Sequence, residues 1–291
     1  MKKTVGIIIT ILSLLFLASC NINHKAQSGV KITKDYTSDV EIDELVIEDI
    51  RLSSGNVTYG PKVYLKEGST KSVKISMQES MEKEITVKYS STKLSIYGGS
   101  FAAYDTDIEM VVEITGYVFN KIDLKNAVTC YADKNVITDD KFELDLSGAS
   151  NLITEELYVK ELDADISGAS LLNVTRLKSD FMDVSLSGAS TFKSFNVTSD
   201  KIDGDASGAS KFNFAGKITN VKVSLSGASI LTSYDLICDY LEGSLSGASE
   251  IDLTVNKQIK GSASGASIVN YKGSATSNMS TSGGSQVNNV K

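Results

Sequence analysis

From about Lys121 to Asn289 apolar and polar residues alternate along the chain, and the tetrapeptide Ser-Gly-Ala-Ser interrupts the alternation at nearly constant intervals. It begins at residues 147, 167, 187, 207, 226, 246 and 264, giving spacings of 20, 20, 20, 19, 20 and 18. A looser copy, Ser282-Gly283-Gly284-Ser285, follows 18 residues after the last. Upstream, "IDLKNAVTC" at 122–130 aligns with "LDLSGASNL" at 144–152 through Leu124 and Ala127. The array therefore runs to about nine units, and a fixed period of this size predicts a solenoid whose units bury their apolar faces only by stacking.

The spacers decide which solenoid. Segments such as "LITEELYVKELDAD" and "FKSFNVTSDKIDGD" are short alternations without an amphipathic stretch long enough for a helix. The L-x-x-L-x-L-x-x-N frame of leucine-rich repeats is absent, as is the calcium-binding G-G-x-G-x-D repeat. The pattern predicts an all-β, single-stranded parallel β-helix of about 18–22 residues per coil, with two or three short strands in each.

Two columns of the repeat are always apolar. One precedes the first Ser (Leu146, Ile166, Leu186, Ala206, Leu225, Leu245, Ala263), and the other lies two residues past the last Ser (Leu152, Leu172, Phe192, Phe212, Leu231, Ile251, Val269). Both are expected to point inward. Strict alternation between them turns Gly148 and Ser150 inward and Ser147 and Ala149 outward, which the polar column Asp145, Asp165, Ser185, Asp205, Ser224, Ser244, Ser262 favours. A corner at Gly148 would instead shift the parity and turn Ala149 in. Coils stack in register about 4.8 Å apart, so nine make a rod on the order of 45 Å long. The repeated Gly148, Gly168, Gly188, Gly208, Gly227, Gly247 and Gly265 are then structural, because glycine permits a bend or a close backbone approach, and a serine column passes hydrogen bonds along the axis.

The cysteines test this register. Cys130 falls in the column of Leu152 and Cys238 in that of Val159, about five coils away. The axial separation of roughly 24 Å is too great for a disulfide, so two buried free thiols are expected.

Residues 36–125 are also β-rich but lack the tetrapeptide; "VEIDELVIEDI", "KVYLKEGSTKSVKISM", "EITVKYSSTKLSIYGG" and "DIEMVVEIT" read as alternating strands separated by turns. They are expected to form an irregular first part of the same solenoid, covering its N-terminal end. The regular part follows over 126–291, and its polar end "GSATSNMSTSGGSQVNNVK" suits a last coil with an open edge.

The first nineteen residues combine a basic head, Lys2-Lys3, with an apolar run too short to span a bilayer comfortably, which predicts an export signal. Its end, Leu17-Ala18-Ser19-Cys20, reads as a lipobox, making Cys20 the acylated mature N-terminus and the membrane anchor. Residues 20–35 are polar and aperiodic, a flexible tether. It carries no acidic run, which leaves both faces of the outer membrane open as the destination.

Composition narrows the chemistry. The net charge of −7 with only two arginines, Arg51 and Arg176, excludes a polyanion-binding surface and hence nucleic acid. The single histidine, His24, lies in the tether, so no serine of the seven equivalent copies has a base to activate it. Asp145, Asp165 and Asp205 share one outward column and Asp163, Asp183 and Asp203 another. In a stacked repeat such columns arise from repetition alone, and they read as a solvated acidic stripe rather than as a glycosidase pair or a calcium site. No catalytic residue, metal or cofactor is expected. Function is instead to be sought where coils differ, as at Asn151, Lys211 and Glu250 after the tetrapeptide, and in the irregular N-terminal part.

The order "KVYLKEGSTKSVKI", "ITVKYSSTKLSIY", "IEMVVEI", "FNKIDLKNAV" and repeated "LSGAS", over residues 42–285, resembles the bacterial family described as putative auto-transporter adhesin, head GIN domain, formerly a domain of unknown function. The chain departs from it at Gly60-Pro61-Lys62, where the family has Gly-Ile-Asn, keeping the glycine turn and losing the asparagine. The resemblance implies a right-handed parallel β-helix on a lipid-anchored or secreted protein of Bacteroidetes-type bacteria. The expected function is a non-catalytic, lipid-anchored cell-envelope binding module whose partner is a glycan or another envelope protein. The alternatives are a polysaccharide-acting enzyme on the same scaffold and a purely structural envelope module.

Overall fold

The computed structural model describes residues 30–54, 57–102 and 109–290. It is nearly all β, a parallel solenoid of about eight turns, and its fold class is the one the periodicity predicts.

One coil shows how the sequence makes the turn. After the tetrapeptide, Asn151–Ile166 runs as a single strand, yet its burial pattern breaks parity twice: Glu155 and Glu156 both face out, as do Lys160 and Glu161. Pairing with the next coil lapses at residues 155 and 160. Two consecutive outward residues are a corner, so the coil has three sides, at 150–154, 157–159 and 161–166, and the tetrapeptide forms the third corner. Leu152, Leu157, Leu162 and Ile166 point to the centre and are essentially unexposed, and the same positions recur in the next coil as Leu172, Leu177, Met182 and Leu186. Each adds about 1.5–3 kcal/mol of apolar burial. Where two large residues fall together, Phe192 meets Phe214 edge-on at 4.8 Å between ring centroids, an arrangement favoured by the ring quadrupoles.

The tetrapeptide corner corrects one expectation. Ser150 is buried and Ala149 exposed, as alternation implies, but Gly148 is not inward: it is exposed, at the apex of a turn. The seven glycines have φ between 71° and 77°, the left-handed region open to glycine. Counting six residues between the apolar columns did not distinguish a straight alternation from a four-residue turn that restores the same parity. A shift that turns Ala149 inward is likewise not what occurs.

The N-terminal coils reach the same columns by another route. Lys93–Tyr97, Glu44–Glu48, Lys121–Leu124 and Lys141–Leu146 stack in parallel on one side, and Val111–Thr115, Lys62–Lys66 and Thr129–Ala132 on another. Antiparallel strands then cover the end: Ser72–Gln78 lies between Lys31–Asp35 and Val111–Thr115, and Thr86–Ser90 pairs with Lys93–Tyr97. The last five residues of the expected tether are thus an ordered edge strand, whose alternation is too short and too polar to stand out in the sequence. Thus Leu124 pairs with Leu146 and Cys130 with Leu152, the register the sequence alignment predicts.

Cys130 and Cys238 are both buried and free. Burial pushes both thiols up, Cys238 to about 12 with a further contribution from Asp239.

Candidate functional site

The repeated residues are consumed by packing. Each corner alanine donates its N–H to the glycine carbonyl one coil back, at 2.7 Å from Ala169 to Gly148 through Ala266 to Gly247. A Cβ on Gly208 would lie 2.4 Å from the carbonyl oxygen of Gly188, so the glycine is required by stacking as well as by φ. The last serine turns inward and its hydroxyl closes the turn on the first serine's carbonyl, at 2.9 Å for Ser150 to Ser147 and 2.8 Å for Ser210, Ser229, Ser249 and Ser267. The first serine's own N–H is bound to the preceding coil, as Ser167 to Leu146 at 2.8 Å. The backbone donors of Ser147, Ala149 and Ser150 are all engaged, and a tetrapeptide so committed has little left with which to hold a ligand.

The Gly60-Pro61-Lys62 segment lies directly on the first corner of this stack. Lys62 pairs with Thr129, and Thr129 donates to the Pro61 carbonyl at 3.1 Å. Gly60 packs on Ala127, where a Cβ would approach backbone at 2.5 Å. Asn126 takes the glycine slot with φ 77°, and the Arg51 guanidinium donates to its Oδ1 at 2.9 Å. The triplet position is therefore the start of the corner column. Cys20 and His24 lie outside the described residues.

Asp123, Asp145 and Asp165 stack in one column, with Glu143, Asp163, Asp183 and Asp203 in the next. Burial, then the neighbouring Asp123, raises the Asp145 carboxyl against the pull of Lys121; burial, then Asp163 and Asp203, raises that of Asp183. Lysines interrupt the stripe, Lys141 lying 3.1 Å from Asp163 and Lys222 3.1 Å from Asp203. Among the described residues no cluster of His, Cys, Asp and Glu is placed to hold a metal ion.

Among the open recesses of the described residues, three lie where a column changes residue size. The first, about 380 Å³, runs beside the corner between two serine columns, including Ser185, Ser224 and Ser244 on one flank and Ser187, Ser226 and Ser246 on the other. The second, about 320 Å³, opens where the column Tyr64, Tyr131 steps down to Ile153. Its two rings stack at 5.3 Å and 14°, Lys66 sits 5.7 Å from the Tyr64 ring centre, and Thr175 and Glu155 form the far wall. The third, about 430 Å³, surrounds Tyr240. Asn151, Lys211 and Glu250 do share a column, but line none of these recesses. The sequence reading missed the two tyrosine sites; the signal that marks them is an outward aromatic beside a shorter residue one period away.

The class this structure defines is that of the fold: a parallel β-solenoid with packed, repeated corners, whose differences from coil to coil lie on its outward columns. The sequence profile of the family described as "Putative auto-transporter adhesin, head GIN domain" matches residues 56–193 and 171–275, and the chain belongs to that family. No curated protein matches the sequence. Among solved structures, the fold is shared by a putative adhesin from Parabacteroides merdae (TM-score 0.63, 16% identity, 92% of this chain and 99% of that one). A putative adhesin from Parabacteroides distasonis (0.61, 14%, 90% and 98%) and a structure from the same organism described as a putative lipid binding protein (0.58, 12%, 92% and 100%) share it too. The family supports an adhesin-like binding role at the cell envelope or surface, and the neighbours support the fold.

Proposed function

We propose that this chain is a non-catalytic binding module of the bacterial outer membrane, anchored by acyl chains on Cys20 and presenting the sides of its solenoid to a glycan or to another envelope protein. The observation that carries this reading is the division of labour between positions. The repeated Ser, Gly and Ala are spent on stacking, whereas the outward side chains differ from coil to coil and leave open recesses with aromatic floors or walls. Pockets of this kind, largely preformed on a rigid scaffold with few polar groups, are where small ligands and sugar rings are held. The absence of a catalytic role is supported by the chemistry available: both described thiols are buried and held protonated, and the sole histidine falls in the tether.

Two experiments test it. Metabolic labelling with a palmitate analogue should mark the wild type and not Cys20→Ser, and labelling of both or neither contradicts the anchor. Screening the full chain on a glycan array, with a parallel pull-down from cell envelopes, should return a saturable partner. Clean negatives in both would remove the binding role.

A further inference from the structure

We propose that the recess around Tyr240 is a subsite for an oligosaccharide bearing carboxylate groups, of the uronic-acid class; the proposal rests on the reading of the chain as a binding module and names the ligand of one of its faces.

The site is built by one column. Lys201, Asn220, Tyr240 and Gln258 follow one another in successive coils, each about 4.8 Å from the next. Tyr240 is 42% exposed, its neighbours in the column are shorter amides, and its ring carries the Lys257 ammonium 5.3 Å from the centroid instead of stacking on a second ring as Tyr64 does on Tyr131. An exposed aromatic face matches the apolar C–H face of a pyranose ring. Amides one coil above and below supply both donor and acceptor atoms at the spacing where ring hydroxyls would lie. The floor is the strand backbone at Val221 and Leu241, whose side chains turn into the core. A recess of about 430 Å³ falls within the range of small-ligand sites.

Charge selects among sugars. The adjoining column reads Glu143, Asp163, Asp183, Asp203 in the earlier coils and then Lys222, Glu242, Lys260. On this side the sign reverses at the recess, although the whole chain carries a net charge of −7. Lys201, Lys222 and Lys260 line it, with Glu242 the one acidic lining residue. Lys260 is paired with Glu242 at 2.9 Å, but Lys201 and Lys222 share a single carboxylate, Asp203, at 3.8 and 3.1 Å. That pair has ammonium donors to spare, each lysine offering three. An anionic chain is repelled by the acidic stripe below and concentrated at the lysines.

The test is isothermal titration of the full chain with tetragalacturonate and with the neutral galactose tetramer. The acidic probe is expected to bind, the neutral one at least about tenfold more weakly, a difference of about 1.4 kcal/mol. Raising the salt should weaken the acidic probe, as expected for exposed charges. Tyr240→Ala should abolish measurable binding and Tyr240→Phe preserve it, with unchanged melting temperatures showing that the solenoid is intact. Lys201→Ala should weaken the acidic probe alone, and Tyr158→Ala, at an exposed tyrosine that lines none of the three recesses, should change nothing. No binding of tetragalacturonate, equal binding of the two tetramers, or binding that survives Tyr240→Ala each overturns the proposal. A glycan that is found on the array and still binds Tyr240→Ala would leave the binding-module reading standing while removing this site; silence on the array and in the pull-down removes both.

Discussion

The coils before Asn126 and those after it fill the same columns by different means. In the regular coils the corner is Ser-Gly-Ala-Ser, and the chain is held by repeated backbone bonds between neighbouring turns. In the first coils the inward serine slot is taken by Val128, which is fully buried, the glycine slot by Asn126, and the triplet below by Gly60-Pro61-Lys62. Side chains do more of the binding there: Lys125 reaches Glu48 at 2.9 Å and Asp123 at 3.0 Å, and Lys62 reaches Glu109 at 2.6 Å. The difference shows what the repeat is for. A corner that stacks on an identical corner must satisfy the same geometry above and below, whereas a corner at the end of the stack answers to one neighbour and varies.

Base should destabilise both regions most severely. Burial raises the thiols of Cys130 and Cys238 above their ordinary value, Cys238 to about 12, and raises the Tyr89 phenol in the irregular region to about 12. Groups whose folded pKa is raised lend stability in full below their unfolded pKa and lose it as pH rises through the folded one. Between about pH 9 and 12, the interval from the ordinary thiol pKa to the value for Cys238, stability should fall steeply. A thiol reagent should modify neither cysteine at pH 8 without denaturant and both once the coils open. Reaction of either at pH 8 contradicts the burial.

Glycine substitutions sharpen the contrast between the two regions. Gly208→Ala forces a side chain into a left-handed turn and against the Gly188 carbonyl, and should cost about 3 kcal/mol in denaturant unfolding. Gly99→Ala in the irregular part meets nothing closer than the Glu84 carboxylate at 3.5 Å, and should stay within about 0.5 kcal/mol of wild type. Equal effects at the two positions would mean that the corner stack is not what constrains the glycine.

A smaller loss, about 1–2 kcal/mol, is expected for Ser210→Ala, which leaves the Ser207 carbonyl without its hydroxyl partner and breaks the contact to Ser190. The smallest effect has the opposite sign. Asp183 is exposed, and its carboxyl is raised by burial and by Asp163 and Asp203, so its charge opposes folding at neutral pH. Asp183→Asn should add less than about 1 kcal/mol, discounted for solvent screening, and the gain should vanish as pH falls below the ordinary carboxylate range, where the wild type is itself protonated. A melting temperature unchanged at pH 7 contradicts the repulsion.

Much of this fold was legible because the period is nearly fixed: Leu146, Leu152 and Cys130 could be assigned to columns by counting, and Cys130 does pair with Leu152. The turn at Gly148 was not, since parity is the same for a strand and for a four-residue corner. The Tyr240 recess was hidden for another reason. The 20-residue coil of Tyr240 lies between coils of 19 and 18 residues, and the register shifts between Phe212 and Gly216, between Thr232 and Ile237 and between Cys238 and Tyr240. Counting forward from a tetrapeptide loses the column at those bulges, whereas counting back six residues from the next one aligns Lys201, Asn220, Tyr240 and Gln258. The column was legible from that side, and only the recess beside it required three dimensions. The antiparallel cover at the N-terminal end was equally out of reach, because Ser72–Gln78 and Lys31–Asp35 carry strand patterns that do not encode their partners.

The tetrapeptide is scaffold, bound coil to coil through its backbone. Native-state hydrogen exchange at the amides of Ala169, Ala189, Ala209, Ala228, Ala248 and Ala266 measures this most directly. Their side chains face solvent, yet each N–H is 2.7 Å from a glycine carbonyl of the preceding coil. The stacked corner predicts that these amides exchange only with global opening of the coils, as slowly as those of the buried strands. Exchange at the rate of an open surface loop would show that the Ser-Gly-Ala-Ser corners are free to bind, and would contradict it.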